Sequence, residues 1–531
     1  MNTADAIIIG GGLNGLVAAA MLAKAKLSVI LLDQRPSLGG ACSMRELAPG
    51  FRIPELSHSL GPVSRDVVKA LRLDHAAGLE FITPDPSLTS IGDDNHSLSF
   101  HRDAVLTAGS INTHSTADAG RWNDFVRTSQ RIAGVIAQID RLAPPPIDDA
   151  GFRHLWRLIG AGRAARKLSR RDLTRLARWL PMSIADVVSE WFETDLLRAA
   201  IAAHAIAGHP AGPRSAGTGA FWLQRVAADP SVVGSGVTAK GGPGALADAV
   251  ARIATAAGAD LRSNAQVAHV LTKHGRATGI VMANGDELSA RAVVAAISPK
   301  TALLELVSPT DLPPSVANRV RNIRARGVTA KINLALSAVP AFTAFGGDTV
   351  PLSGRLLIGP GLDYLERAFD ATKYGEMSEQ PSLEISIPSV RDNSLAPAGA
   401  HVMSICAHFA PKDLRNSSWE QGRDVLWSRV MDVLDARAPG IRQLVIERQI
   451  VTPVDLESDW GLAGGSVFHA ESTIDQFWIA RPLLGWSQYR TPVAGLYLAS
   501  AGVHPGGGLT GLPGWLASET IREDLKKRRA T

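Results

Sequence analysis

The stretch Ala6–Asp33, "AIIIGGGLNGLVAAAMLAKAKLSVILLD", decides the fold. Its first residues are a continuous apolar, β-rich run, which reads as a strand buried on both faces. "GGGLNG" follows and sets Gly10, Gly12 and Gly15 in GxGxxG register. "LVAAAMLAKAK" has the composition and spacing of a helix, and "LSVILLD" is a second buried strand that ends in Asp33. Strand, glycine turn, helix, strand and carboxylate, in that order, make the glycine pattern a dinucleotide fingerprint. Gly10 permits the tight turn, Gly12 lets backbone approach a pyrophosphate, and Gly15 allows close helix–strand packing. Leu13 and Asn14 open the helix, whose N-terminus meets the phosphates with its partial positive charge. Asp33 sits roughly 20 residues on, where a carboxylate accepts the ribose hydroxyls and disfavours a 2′-phosphate.

Further along, "DQRPSLGGACS" carries Gln34, Arg35, a second glycine pair at Gly39 and Gly40, and Ala41. "TAKGGPGALADAVARIATAAGADLRSNAQVAHVL", residues 238–271, reads as a glycine turn, a helix and a β-rich run starting near Val267. "GDELSARAVVAAISP" is another strand. Near the C-terminus, "AGLYLASAGVHPGGGLTGLPGWLASETI" repeats the logic of the opening stretch: a strand at 496–500, Gly502, a glycine-rich turn and an apolar helix. Glycine loses the most freedom on folding, so such a run signals that the backbone turns sharply or comes very close to something. "KGGPGAL" lacks a preceding strand in register, so a single dinucleotide site is expected and no separate NAD(P) site.

The chain has 531 residues, too many for one ordinary core, so two or more lobes are expected. Its two cysteines, Cys42 and Cys406, form no CxxC pair, which argues against a redox dithiol, a disulfide framework or a structural zinc, and no metal site is expected. The formal charge of +5 reads as a solvated surface. No zinc-finger or RNA-binding pattern accompanies it, so nucleic acid is not an expected partner. No secretory signal or bilayer-length apolar run is visible, which places the expected location in the cytoplasm. Nothing in the sequence speaks to oligomeric state.

"GGGLNGLVAAAMLA", "PGFRIPELSHSLGP", "GLEFITPDPSL", "AKINLALS", "TPVDLESDWGLAGGSVFH" with "DQFWIARP", and "GLYLASAGVHPGGGLTGLPG" span nearly the whole chain. Together they resemble the phytoene dehydrogenase- and desaturase-related oxidoreductases of the flavin amine oxidase-like superfamily. The resemblance implies non-covalent FAD in the dinucleotide site. It implies an α/β fold: a discontinuous Rossmann-like FAD-binding domain from 1–65, 220–300 and 455–531, and an inserted α+β substrate-binding lobe from 66–219 and 301–454, helical over 121–207. It implies that Gly39, Gly40 and Ala41 return toward the flavin. It places Val267 against the adenine, and Gly502, Gly508, Leu509 and Thr510 near the flavin and pyrophosphate. Trp515 departs from the family pattern, which leads one to expect a basic or small residue there.

Flavin chemistry implies hydride transfer from a substrate carbon to N5 in a dry, mostly apolar pocket. The expected substrate is an apolar small molecule, isoprenoid- or carotenoid-like, with oxygen or a quinone as electron acceptor. A flavin amine oxidase and a non-catalytic regulatory flavoprotein are the alternatives. Three side chains are candidates for the reacting end. Lys331 falls on a strand whose counterpart in amine oxidases carries a flavin-facing lysine; the solvent face of that strand is the competing placement. His58, in "ELSHSLG", matches a segment that passes the flavin in relatives, with ordinary burial as the alternative. His504 precedes the glycine turn and is expected to touch the flavin or shape the loop. Trp486 and Tyr489 are either cavity walls or core. Residues 152–181 are arginine-rich with interleaved Leu, Trp and Ile. They read as a helix packed on the substrate lobe with a solvated basic face, and peripheral contact with an anionic membrane is the alternative.

Overall fold

A computed structural model describes residues 3–61, 63–75, 78–93, 95–145 and 159–530. Two seven-stranded sheets organise the chain. The first sheet runs Val267–Lys273, Arg276–Met282, Glu287–Ala295, Ala4–Ile9, Val29–Leu32, Asp260–Arg262, with Leu496–Leu498 also on Glu287–Ala295. Ala4–Ile9 pairs in parallel with Val29–Leu32 and with Glu287–Ala295, which in turn takes Leu496–Leu498 in parallel. Continuous apolar strands of this kind need cover on both faces. The helices Leu13–Lys24, Gly244–Ala256 and Leu512–Ala530 are part of that cover. Residues from both ends of the chain and from its middle therefore share one core.

That core continues past residue 300. Ser298 caps the helix Pro299–Leu304, and Ala302, Leu303, Val307, Leu312, Val320 and Ile323 pack back on the first sheet. The lobe boundary expected at 300 therefore falls some way later. The cause is packing: this segment buries its apolar side chains against the sheet it has just left.

The second sheet runs Val445–Val451, Thr329–Leu336, His401–His408, Leu383–Ser386, Arg355–Ile358, Leu88–Ile91, Ser97–Phe100. Only Leu88–Ile91 and Arg355–Ile358 pair in parallel. The helix Trp419–Asp435 shares a core with this sheet. A separate aromatic core, with Trp122, Phe125, Phe192 and Trp222, joins the helices Thr116–Asp140, Asp195–Ile206 and Thr218–Ala228. Every residue of Thr329–Leu336 is buried. The strand has no solvent face, and Lys331 is inside.

Of the arginine-rich stretch, 152–158 lie outside the described residues. Within the helix Arg170–Trp179, Trp179 is fully buried. Asp172 pairs with Arg175 at 3.2 Å and with Arg131 at 3.2 Å, and Arg175 stacks on Trp191 at 5.1 Å. The helix is thus docked through its apolar edge, and part of its positive charge is already neutralised. No helix among the described residues is long and apolar enough to cross a membrane.

Candidate active site

A single cavity of about 1090 Å³ runs from the glycine turns to the second sheet. That is at the upper end of the roughly 300–1,000 Å³ of ordinary ligand pockets.

At one end the wall is backbone. Gly10 has φ +103°, which favours glycine, and its turn carries the chain from Ala4–Ile9 into Leu13–Lys24. A Cβ on Gly15 would overlap the Gly10 carbonyl oxygen, so glycine there lets helix and strand touch. Gly12 caps the helix without a side-chain hydrogen bond, and a Cβ on it would meet nothing nearer than Gly40 Cα at 4.0 Å. The first N–H groups of that helix are therefore free to face an anion. Gly39 N–H donates to the Gly11 carbonyl at 2.8 Å, which brings the second glycine pair beside the first. Asp33 accepts from Gly11 N–H at 2.6 Å and Arg35 N–H at 2.8 Å, and so holds the turn from the cavity's edge. Arg35 pairs with Glu55 at 3.0 Å and lies 4.5 Å from the ring centroid of Trp460. The C-terminal turn closes the same space. A Cβ on Gly514 would overlap the Asn14 carbonyl oxygen, so the C-terminal helix crosses the first one in direct backbone contact.

Gly10, Gly12, Leu13, Asn14, Asp33, Gln34, Arg35, Gly40, Ala41, Val267, Gly508, Leu509 and Thr510 all line the cavity. Gly15, Gly39 and Gly502 stand behind it: Gly39 abuts Ala247, and a Cβ on Gly502 would press on Pro299. They shape the turns rather than face a ligand. A glycine cradle, an uncapped helix N-terminus and a carboxylate at the end of the second strand fit a dinucleotide.

At the other end the wall is ionisable. Lys331 lies opposite Cys406 on one neighbouring strand, and Cys406 lies opposite Glu384 on the next. Residues opposite one another in register share a sheet face, so the three side chains stand in a row. His58, delivered by the loop after Phe51–Pro54, completes the set. Lys331 Nζ is 2.8 Å from His58 Nδ1 and 3.7 Å from Cys406 Sγ. His58 Nε2 is 3.0 Å from Glu384 Oε1, and Glu384 Oε2 is 3.3 Å from Arg355 Nη1. The chain of bonds is satisfied when Lys331 donates to Nδ1 and His58 carries its proton on Nε2. Burial pulls the Lys331 ammonium below its ordinary range. Burial opposes ionisation of Glu384, but Arg355 and the His58 hydrogen bond hold it well below the usual carboxylate range. Burial alone would raise the Cys406 thiol; Lys331 and His58 turn the balance and lower it. Burial brings His408 down to about 4, so this wall histidine is neutral at neutral pH.

His504 is not part of the wall. Its ring is buried near the backbone of Ile139, Asp140 and Leu142, and burial draws it down to about 3. Tyr489 O–H donates to its carbonyl at 3.2 Å, so the residue anchors the loop and does not reach into the cavity. Trp486 and Tyr489 belong to the first core and line nothing. Sequence reasoning missed Glu384, Arg355, Cys406, His408, His204 and Arg225. The available signal was a lone ionisable residue inside an otherwise apolar strand, as in "SLEISI" and "SICAH". No group of three or more His, Cys, Asp or Glu among the described residues could hold a metal ion.

The family model for flavin containing amine oxidoreductases matches residues 13–514. The chain is 33% identical to the pyridine nucleotide-disulfide oxidoreductase domain-containing protein 2 of Rattus norvegicus, over 98% of this chain and 94% of the relative. It is 25% identical to a lycopene-forming phytoene desaturase of Pseudescherichia vulneris, over 98% of each. A putrescine oxidase solved with putrescine shares the fold with a TM-score of 0.60 at 15% identity, over 99% of both chains. The protein is thus an FAD-dependent oxidoreductase, and the chain belongs to the flavin containing amine oxidoreductase family.

Proposed function

We propose that this protein is a dehydrogenase of the desaturase type, taking hydride from a carbon of a largely apolar, isoprenoid-like substrate and passing electrons to oxygen or a quinone. The observation that carries the reading is the continuity of one cavity from the glycine cradle to the buried Lys331 row. Bound FAD supplies the hydride-accepting ring. Leu60, Val63, Phe221, Val467 and Phe468 offer apolar wall to the substrate body, and the similarity to a phytoene desaturase points the same way. Lys331 holds a proton on Nζ inside a water-poor pocket. His58 aims that ammonium, Glu384 aims His58, and Arg355 keeps Glu384 ionised. An ammonium so placed stabilises negative charge that develops beside it.

An amine oxidase is the second reading, favoured by the Lys331 placement. Arg225 and Arg355 at the same end would repel an alkylammonium, and neither Trp486 nor Tyr489 supplies an aromatic wall. Anaerobic titration of the purified flavoprotein separates the two. Bleaching of the visible flavin band by terpenoid or polyene donors, with colour restored by oxygen or a quinone, supports the desaturase reading. Bleaching by amines, with peroxide released in air, would replace it with the second.

A further inference from the structure

The polar end of the cavity contains one cation that the row of ion pairs does not use. Arg225 lies on the helix Thr218–Ala228 and lines the cavity. Its Nη2 donates to the Ala207 carbonyl at 2.5 Å, and its guanidinium carbon sits 5.7 Å from the ring centroid of Phe468. Its remaining N–H groups have no hydrogen-bond acceptor among the described residues, and no carboxylate pairs with it. Arg355 differs: it donates to the carbonyls of Val233 at 2.6 Å and Gly234 at 2.8 Å, and to Glu384. Glu384 makes its ion-pair contacts with Arg355 and His58, and it reaches Arg225 only through its field, without a hydrogen bond. The histidines nearby do not add charge. Burial holds both His204 and His209 well below their ordinary value, and His209 is packed between Phe221 at 4.6 Å and Phe468 at 4.8 Å. Burial lowers Arg225 itself only to about 10, so it is cationic at neutral pH.

A guanidinium inside a ligand cavity with no carboxylate bonded to it is costly unless an anion joins it. Its planar fork matches a carboxylate. Gln224, one residue earlier, donates to the Pro505 carbonyl and so ties this helix to the C-terminal glycine turn. The helix that carries the cation is thereby fixed in place at the ionisable end of the cavity. We propose that Arg225 is the anchor for an anionic group of the substrate, and that the substrate is an apolar molecule carrying a carboxylate. This rests on the oxidoreductase reading above and adds the polar handle that orients the apolar body.

The test is binding, not turnover. Decanoate, decanol and decylamine are titrated into the oxidised FAD-loaded protein while the visible flavin band is followed. Decanoate is expected to bind at least about tenfold more tightly than decanol, the usual worth of one charge-assisted pair, with decylamine weakest. Arg225→Met is expected to abolish the preference for decanoate while leaving decanol unchanged, and Arg225→Lys to keep part of it. Equal binding of decanoate and decanol by the unaltered protein would overturn the proposal whatever the variants do. An undiminished preference in Arg225→Met would overturn it too. A flavin bleached by donors without a carboxylate, with no preference for decanoate, removes the anion anchor and leaves the dehydrogenase standing. A preference for decanoate in a protein whose flavin no donor bleaches supports the anchor and removes the dehydrogenase.

Discussion

The two ends of the cavity are built in opposite ways. At one end the wall is main chain, supplied by two glycine turns and the helices that follow them. At the other it is a set of ionisable side chains on strands, a loop and a helix far apart in sequence: His58, Arg225, Lys331, Arg355, Glu384 and Cys406. A backbone site tolerates little change of shape and is indifferent to most changes of charge. A side-chain site is the reverse: each member can be replaced at nearly constant volume, and what is lost is charge, proton or alignment.

The sharpest way to break that contrast is Gly15→Val. A side chain there would have to displace the Gly10 carbonyl, so helix and strand separate. A loss of about 3–5 kcal/mol is expected, with the flavin lost as well, read from thermal melts and the 450 nm absorbance per chain. Glu384→Gln, at the other end, is expected to keep its flavin. A variant at residue 15 that stays yellow and stable would mean the close approach is not needed.

Next in size is Lys331→Met. With any donor that bleaches the native flavin, the anaerobic bleaching rate is expected to fall about 10²- to 10³-fold at unchanged FAD content, as for loss of a positioned proton donor. His58→Gln should lower it less, since it aims the ammonium but does not replace it. Equal rates in all three proteins would place the chemistry elsewhere in the cavity.

Acid melting curves distinguish the ends by pH. His504, held at about 3, is neutral in the fold, while the unfolded chain takes up a proton below 6.5. Its contribution is complete above pH 6.5 and is lost as pH falls toward 3, by about 1.4 kcal/mol per pH unit. Glu384, held well below 4.5, gives its full contribution above pH 4.5 and loses it only below that. His504→Leu should therefore flatten the curve starting from pH 6.5. Glu384→Gln should alter its shape below 4.5, and near neutrality as well, because against its burial the Glu384 hydrogen bond helps to hold His58 above its ordinary value. A Glu384→Gln curve that follows the parent below 4.5 would show that the ion pair is not ionised as described.

The smallest expected effect is at Asp33. Asp33→Asn keeps the shape of the side chain but not its charge, and so weakens the Gly11 and Arg35 hydrogen bonds that hold the turn. FAD affinity is expected to fall about tenfold, measured by fluorescence on cofactor rebinding. No change would mean that the cradle holds the cofactor through its phosphates alone.

The difference in legibility follows the same line. Strand, glycine turn, helix and carboxylate lie within 28 consecutive residues, 6–33, and their spacing carries their geometry. The second glycine pair and the C-terminal turn were readable for the same reason. For His504 the sequence left touching the flavin and shaping the loop both open, because adjacency to a glycine turn does not say which side of the loop a ring takes. Here it goes inward, where apolar packing keeps it neutral. Lys331 stood out as a lone charge in an apolar run, but its partners did not, because none is its neighbour in sequence.

By itself the sequence determined that a glycine turn links the first strand to a helix with an uncapped N-terminus, and that segments from both ends of the chain come together there. Local chain geometry and glycine sterics are properties of a few consecutive residues, so short motifs carry them. The tertiary structure alone decided which ionisable groups meet. Strand register puts Lys331 opposite Cys406, and Cys406 opposite Glu384. Packing of the Thr218–Ala228 helix leaves Arg225 open to the cavity with no carboxylate bonded to it. Pairings across a sheet are set by the whole core, and no short stretch of this chain encodes them.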